Sequence, residues 1–316
     1  MSGADIFIVR AVEKIQAKIL QGKAIIAFSG GVDSTVAAVL TNKAIGERLL
    51  AVYVDTGLMR KGETEDVRKT LDELKINYRV IDASEEFFTA LEGVRDPEAK
   101  RKTIGWLFIK VFDRVAKEFG AEFLVQGTIA PDVIESGQNG VGVIKSHHNV
   151  GGLPKDMGMT VVEPLRELYK EDVREIARAL KIKSSERQPF PGPALSVRCL
   201  DEVNPKNIAI VREACFIVED EVKKAAADGK IDIPWQYFAV LLPMRSVGIQ
   251  GDRRAYGRTI AIRMISSKDG MTASFSKVPL DLLDKISKRI TDEMKDQVNR
   301  VVYDITNKPP ATIEWE

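Results

Sequence analysis

Between an apolar run at residues 24–28 and a helical pattern from Val36 onward lies Ser29-Gly30-Gly31-Val32-Asp33-Ser34-Thr35. Strand, tight glycine turn and helix start, in that order, form the layout of a phosphate-binding loop. Two adjacent glycines open backbone angles closed to other residues and let main-chain N–H groups approach an anion. The hydroxyls of Ser29, Ser34 and Thr35 add donors. No lysine follows the second glycine and the spacing is short, which excludes a Walker-type loop. An acid, Asp33, stands where that lysine would be. A carboxylate beside bound phosphates calls for a cation between them, and the expected one is Mg²⁺ held by Asp33.

The surrounding pattern places this loop in a sheet. Short apolar runs at 24–28, 49–54, 78–81, 122–125 and 160–162 are expected strands, and helical spacing fills 36–45, 65–74 and 104–119. In the last of these, Ile104, Leu107, Phe108, Val111, Phe112 and Val115 recur at three- and four-residue intervals, on one face. Strands alternating with helices predict a doubly wound parallel α/β sheet. Ligands bind such sheets beyond the carboxyl ends of the strands, where the strand order reverses. The glycine loop, Val54-Asp55-Thr56-Gly57 and Gln126-Gly127-Thr128 all occupy strand ends of this kind, so they are expected to meet in one crevice. An amphipathic helix running to about residue 20 precedes the first strand.

After residue 181 the character changes. Arg187-Gln188-Pro189-Phe190-Pro191-Gly192-Pro193 stops any helix and begins a new unit. A strand at 194–198, a helix opened by Asn204-Pro205, strands at 238–242 and 259–264, a helix from 280 to about 294 and a closing strand at 300–303 make a smaller α+β domain. The expected division is 1–189 and 190–316. Apolar strands in so thin a layer need further cover, which points to a homodimer through the second domain.

Composition closes off several classes. Lys and Arg number 47 against 46 Asp and Glu, so no overall field draws nucleic acid. Cys199 and Cys215 form no CxxC pair, which argues against a zinc site or disulfide framework and leaves them as buried fillers. No signal-peptide plan and no run long enough for a bilayer are present, so the cytoplasm is the expected compartment and no membrane the expected partner. His147 and His148 are adjacent; on an extended segment they point to opposite sides and do not share a metal. They read as a loop, beside Lys145, with phosphate or partner contacts.

Further segments carry a family resemblance. They are Asp96-Pro97-Glu98-Ala99-Lys100-Arg101-Lys102, Gln126-Gly127-Thr128, Pro131-Asp132-Val133-Ile134-Glu135-Ser136, and Lys145-Ser146-His147-His148 with the residues around it. Pro189-Phe190-Pro191-Gly192-Pro193, Arg245-Ser246-Val247-Gly248, Gln250-Gly251-Asp252 and the closing Lys308-Pro309-Pro310-Ala311-Thr312-Ile313-Glu314-Trp315-Glu316 follow in order. The chain resembles GMP synthetase, in its ATP-pyrophosphatase and dimerisation portions. That resemblance implies cleavage of ATP between the α and β phosphates, and conversion of xanthosine monophosphate (XMP) with ammonia into GMP, AMP and pyrophosphate. A glutaminase region with a nucleophilic cysteine is missing from the pattern, so the expectation is a synthetase subunit served by a separate glutamine amidotransferase.

The resemblance also assigns roles. It implies ATP contacts from Ser29, Gly30, Gly31, Val32, Asp33, Ser34 and Thr35, and from Val54, Asp55, Gly57 and Gly127. It implies catalytic or lid roles for Asp96, Lys100, Arg101 and Lys145 beside Asp33, although a charge run such as 96–102 otherwise reads as a solvated face. For XMP it implies Arg101, Gln250, Arg300, Lys308, Ile313 and Glu314. Competing readings are another ATP pyrophosphatase, such as an NAD synthetase or a tRNA-modifying enzyme, and a non-catalytic nucleotide sensor. Neutral charge and the missing CxxC disfavour the tRNA modifier, and the closing segment disfavours NAD synthetase.

Overall fold

The computed structural model of the chain describes residues 2–135, 158–182, 188–250, 253–268 and 270–316. The polypeptide forms two compact units. One comprises Met1–Thr56, Gly62–Ala83 and Gly105–Glu186, the other Gly57–Lys61, Ser84–Ile104 and Arg187–Glu316.

In chain order the elements begin with α1 (Gly3–Ile19), β1 (Ala24–Ala27), α2 (Val32–Ile45), β2 (Leu49–Asp55), α3 (Glu63–Leu74) and β3 (Tyr78–Asp82). Next come α4 (Ser84–Ala90), α5 (Pro97–Phe119), β4 (Phe123–Val125), α6 (Ala130–Glu135), β5 (Thr160–Val162) and α7 (Lys170–Ala179). The five strands of the first unit pair in the order β3-β2-β1-β4-β5, every pair parallel. This is the expected doubly wound sheet. β1 and β2 are almost wholly buried, which fits their near-continuous apolar sequences. The chain moves outward from β1 through β2 to β3, then returns to the other side of β1 as β4. The order therefore reverses between β1 and β4, with Ala24 opposite Phe123 and Ile26 opposite Val125.

Helices start earlier than their apolar spacing suggests, because capping rather than periodicity sets an N-terminus. α1 opens on a capping box between Ser2 and Asp5 and buries Ala11, Ile15 and Ile19, one residue per turn. α5 opens on Asp96, whose Oδ1 accepts from the Ala99 N–H at 2.7 Å, with Pro97 at the first helical position. The charge run 96–102 is thus the start of a long helix. α7 escaped the sequence reading, since only Val173, Ile176 and Ala177 of its ten residues are buried. It packs with α1 and α2.

The second unit adds α8 (Pro205–Ala227), β6 (Gln236–Gln250), β7 (Arg253–Ser266), β8 (Ser274–Phe275), α9 (Leu280–Glu293) and β9 (Val298–Tyr303). β6 and β7 form a long antiparallel pair whose register shifts between Leu241 and Arg245. Pro243, with no N–H to give the ladder, lies at that shift. β8 pairs antiparallel with β7, and β9 runs parallel to it. Asn204 caps α8, accepting from the Asn207 N–H at 2.9 Å, and α8 packs against β6 and α9.

One expected element is corrected. The run 194–198 is a 3-10 turn rather than a strand, and all five of its residues are buried. Pro191 and Pro193 preset turn geometry, and the Ser196 hydroxyl donates back to the Pro193 carbonyl at 2.7 Å. A short buried apolar run has no periodicity by which to tell the two apart. The strands expected at 238–242 and 259–264 are only the buried centres of β6 and β7, whose outer halves carry exposed Met244, Val247, Ile249 and Tyr256. Among the described residues no helix is long and apolar enough to cross a membrane.

Candidate active site

At the reversal between β1 and β4, the first strand hands over to α2 through the glycine turn. Gly30 has φ +74°, in the left-handed region that glycine enters without penalty, and a Cβ there would lie 3.2 Å from Val67 Cγ2. Gly31 caps α2 and offers no side-chain acceptor, which leaves the first-turn N–H groups for an anion. Ser29 Oγ and Ser34 Oγ lie 3.0 Å apart. The Ser34 and Thr35 hydroxyls donate to the Gly31 carbonyl at 3.0 and 2.8 Å. Gly127, just past β4, lies against the same helix start. A Cβ there would stand 3.0 Å from the Asp33 carbonyl carbon and 3.1 Å from the Ser34 nitrogen.

The two oxygens of Asp33 have different surroundings. Oδ2 accepts from Lys170 Nζ at 2.5 Å, while Oδ1 is buried with no hydrogen-bond partner among the described residues. A buried acceptor left unsatisfied costs about 1–3 kcal/mol or more. Mg²⁺ takes oxygen ligands and is commonly held by one or two carboxylates together with substrate phosphates. Asp33 Oδ1 is such a ligand in such a place, so the residue fits the ion. Among the described residues no cluster of three or more His, Cys, Asp or Glu could hold a metal alone; the rest of the shell falls to phosphate and water. At the end of β2, Val54 is buried and Asp55 is fixed by the Thr64 hydroxyl, 2.6 Å from Oδ2, and by the Ala83 N–H, 2.9 Å from its carbonyl.

Among the described residues the second unit holds three cationic side chains with no exposed area: Lys100, Arg198 and Arg263. Such groups are stable inside a protein only when paired and hydrogen-bonded, and each is paired with the segment from Asp304 to Glu316. Arg198 grips Glu314 with a fork, Nη2 to Oε1 at 2.7 Å and Nε to Oε2 at 3.0 Å. The Gln236 amide adds a bond to Oε1 at 3.1 Å, and the Phe238 ring lies 4.0 Å from the guanidinium. Lys100 Nζ donates to Glu316 Oε2 at 2.6 Å and to the Cys199 carbonyl at 2.7 Å. Arg263 holds main chain, donating to the carbonyls of Thr306, Thr312 and Ile313 at 2.5, 2.9 and 3.4 Å, and pairs with Asp304 at 3.0 Å.

Comparison with known proteins gives this arrangement a family. Residues 4–104 match the NAD synthase family and residues 220–315 match the GMP synthase C terminal domain. The B-type subunit of the glutamine-hydrolyzing GMP synthase of Thermococcus kodakarensis is 57% identical, over 98% of this chain and 99% of that one. The protein of the same name from Methanocaldococcus jannaschii is 58% identical, over 98% of each. The chain belongs to the family of B-type GMP synthase subunits. Among solved structures, an NH3-dependent NAD synthetase from Campylobacter jejuni aligns with a TM-score of 0.46 at 17% identity, over 58% of this chain and 76% of that one.

In this member of the GMP synthase family, Ser29 to Thr35, Val54, Asp55 and Gly127 lie in the first unit. Gly57 opens the second, with φ +72° and a would-be Cβ only 2.7 Å from Phe88 Cε2. Asp96 caps α5, Arg101 pairs with Glu98, and Lys100 is engaged by Glu316 inside the unit. Arg300 is exposed on β9, its Nε donating to Ser246 Oγ at 3.1 Å. Lys308 exchanges main-chain bonds with Ala273 and donates from Nζ to the Gly270 carbonyl at 2.8 Å. Ile313 approaches Gly270. Gln250 ends β6, while Lys145, His147, His148 and Asp252 lie outside the described residues. Sequence reasoning missed Arg198 and Arg263. The signal was available, for each is a lone charge in an apolar run, Leu195-Ser196-Val197-Arg198-Cys199-Leu200 and Ile260-Ala261-Ile262-Arg263-Met264-Ile265.

Both thiols are buried. Burial pushes Cys199 up to about 11 and raises Cys215 as well, and neither forms a disulfide.

Proposed function

We propose that this chain makes GMP by transferring AMP from ATP to the C2 oxygen of XMP and then replacing that oxygen with ammonia supplied by a separate glutamine amidotransferase. The observation that carries the reading is the glycine turn at the sheet's reversal point, with no side-chain cap on the start of α2 and, among the described residues, no hydrogen-bond partner for one buried carboxylate oxygen of Asp33. Family membership supplies the carbon–nitrogen ligase class.

The C2 oxygen of XMP is a poor leaving group. In the first step it attacks the α-phosphorus of ATP; the α–β bridging bond breaks and pyrophosphate departs with the electron pair. In the second step the ammonia lone pair attacks C2, AMP leaves with the former C2 oxygen, and the spare protons pass to solvent. No protein nucleophile is required, so the chain's work is positioning and charge neutralisation. The first-turn N–H groups of α2 and the hydroxyls of Ser29, Ser34 and Thr35 receive the departing pyrophosphate. Asp33 holds Mg²⁺ through Oδ1, and the ion, when bound, neutralises phosphate charge. Lys170 fixes Asp33 through Oδ2, so that Oδ1 keeps one direction. Val54 and Asp55 border the adenosine. Arg101, Gln250, Arg300, Lys308, Ile313 and Glu314 take XMP, with Glu314 accepting from a purine N–H.

The deciding assay is pyrophosphate release from ATP with ammonium present. Release strictly dependent on XMP, with GMP formed in equal amount, is the expected result. Release without XMP, or with another acceptor in its place, overturns the proposal. The second unit is further proposed to form a homodimer, supported by exposed Met244, Val247, Ile249 and Tyr256 on β6 and β7. Light scattering at micromolar concentration is expected to give twice the chain mass.

A further inference from the structure

We infer that Arg198 is a positioning residue for XMP recognition: it holds the Glu314 carboxylate at the angle from which one remaining acceptor site meets the purine. The inference rests on the assignment of Glu314 to the XMP site.

The guanidinium is packed on several sides. Arg198 ends a 3-10 turn of wholly buried residues, and its guanidinium lies 4.0 Å from the Phe238 ring and 5.2 Å from that of Phe190. Two parallel bonds from one planar group fix the carboxylate's plane as well as its place. A carboxylate offers about four acceptor positions. Arg198 and Gln236 fill both on Oε1 and one on Oε2. Among the described residues one position on Oε2 remains, and the Glu314 side chain keeps 18% of its surface exposed. An acceptor with a single open position in a fixed direction suits one ring N–H of a purine.

Arg198 could simply staple the closing segment to the unit. Arg263 already does that, and does it through main-chain carbonyls. The path of residues 306–313 is therefore set by Arg263, while Arg198 acts on a side chain beyond it. What Arg198 adds is the orientation of Glu314.

The test is a double-mutant cycle on the full chain, read as KM for XMP, KM for ATP and kcat. Glu314→Ala and Arg198→Met are each expected to raise the XMP KM about tenfold or more, the scale of a lost charged hydrogen bond, with the ATP KM near that of the parent. Arg198→Met placed in the Glu314→Ala background should add nothing, and Arg198→Lys should restore part of the loss. An Arg198 effect on XMP KM that is equally large in the Glu314→Ala background overturns the inference, since it would then act without Glu314. So does an unchanged XMP KM in Arg198→Met when Glu314→Ala raises it. An unchanged KM in Glu314→Ala instead removes the site assignment itself. Should Arg198→Met not fold, Arg198→Lys keeps the charge but cannot form the two-bond fork to Glu314. A rise in XMP KM that vanishes in the Glu314→Ala background supports the inference, and no rise refutes it.

Discussion

Asp33 illustrates how one residue can be read twice. In the sequence it is an acid where a phosphate loop would have a cation; in the structure Lys170 takes one of its oxygens, and the other is buried with no partner among the described residues. Asp33→Asn keeps the shape but removes the charge that a cation needs, and leaves Lys170 facing an amide. XMP-dependent pyrophosphate release should fall about a hundredfold or more, the range seen when one group stabilising transition-state charge is lost. The Mg²⁺ concentration for half-maximal rate should rise with it. A variant with parental rate and parental Mg²⁺ dependence would remove Asp33 from the site. The loop was legible because everything it needs is local: seven consecutive residues between a strand and a helix. Arg198 and Glu314 were harder to connect, because 116 positions separate them and no local pattern records which acid a buried arginine will meet.

Elements carry the charges of the second unit in pairs. α8 and α9 are clamped by Glu221, which lies 2.6 Å from Lys285 and 2.8 Å from Arg289, and by Asp220 against the same Arg289. Burial pushes the Glu221 carboxyl up, but Lys285, Arg289 and Lys224 more than offset it and hold it below its ordinary 4.5. Lys224 and then Arg289 hold Asp220 below its ordinary 3.8. For depressed carboxylates the stabilisation is present above the unfolded values and is lost as pH falls through the folded ones. The melting temperature should therefore be level down to the ordinary 4.5 of the unfolded glutamate and drop below it. Glu221→Gln with Asp220→Asn should start lower and fall less steeply; equal slopes would discount the clamp. A second expectation concerns residues 313–316. Their removal would leave Lys100 and Arg198 buried without their carboxylate partners, and breaking a buried pair from one side costs about 3–5 kcal/mol. Deletion should lower the melting temperature of the second unit as well as abolish XMP binding, whereas Trp315→Ala, at a residue 37% exposed, should leave stability nearly intact. A deletion variant with a parental melting curve would show that the pairs contribute nothing. Among the elements, β1 and β2 were the most legible, since apolar runs buried on both sides leave no ambiguity of face. The turn at 194–198 was misread because burial, unlike amphipathicity, leaves no period in the sequence.

At the scale of the whole molecule the question is what the chain can do unaided. A glutaminase needs a nucleophile, and thiolate rather than thiol is the reactive form of cysteine. With Cys199 pushed up to about 11 and Cys215 raised and buried, neither supplies one near neutral pH. Ammonium salts should therefore support GMP formation and glutamine alone should not, until a separate amidotransferase is added. GMP from glutamine and the purified chain would contradict this. One consequence of the layout reaches into inheritance. The second unit is assembled from three stretches of chain, and the Lys100–Glu316 pair joins the middle stretch to the last. A gene crossover placed near codon 189 would bring Lys100 from one parent and Glu316 from the other. Such a chimera would combine two halves of one ion pair selected in different backgrounds. The two units should consequently travel together through descent, and recombinants between distant relatives should survive only where both ends of that pair are matched.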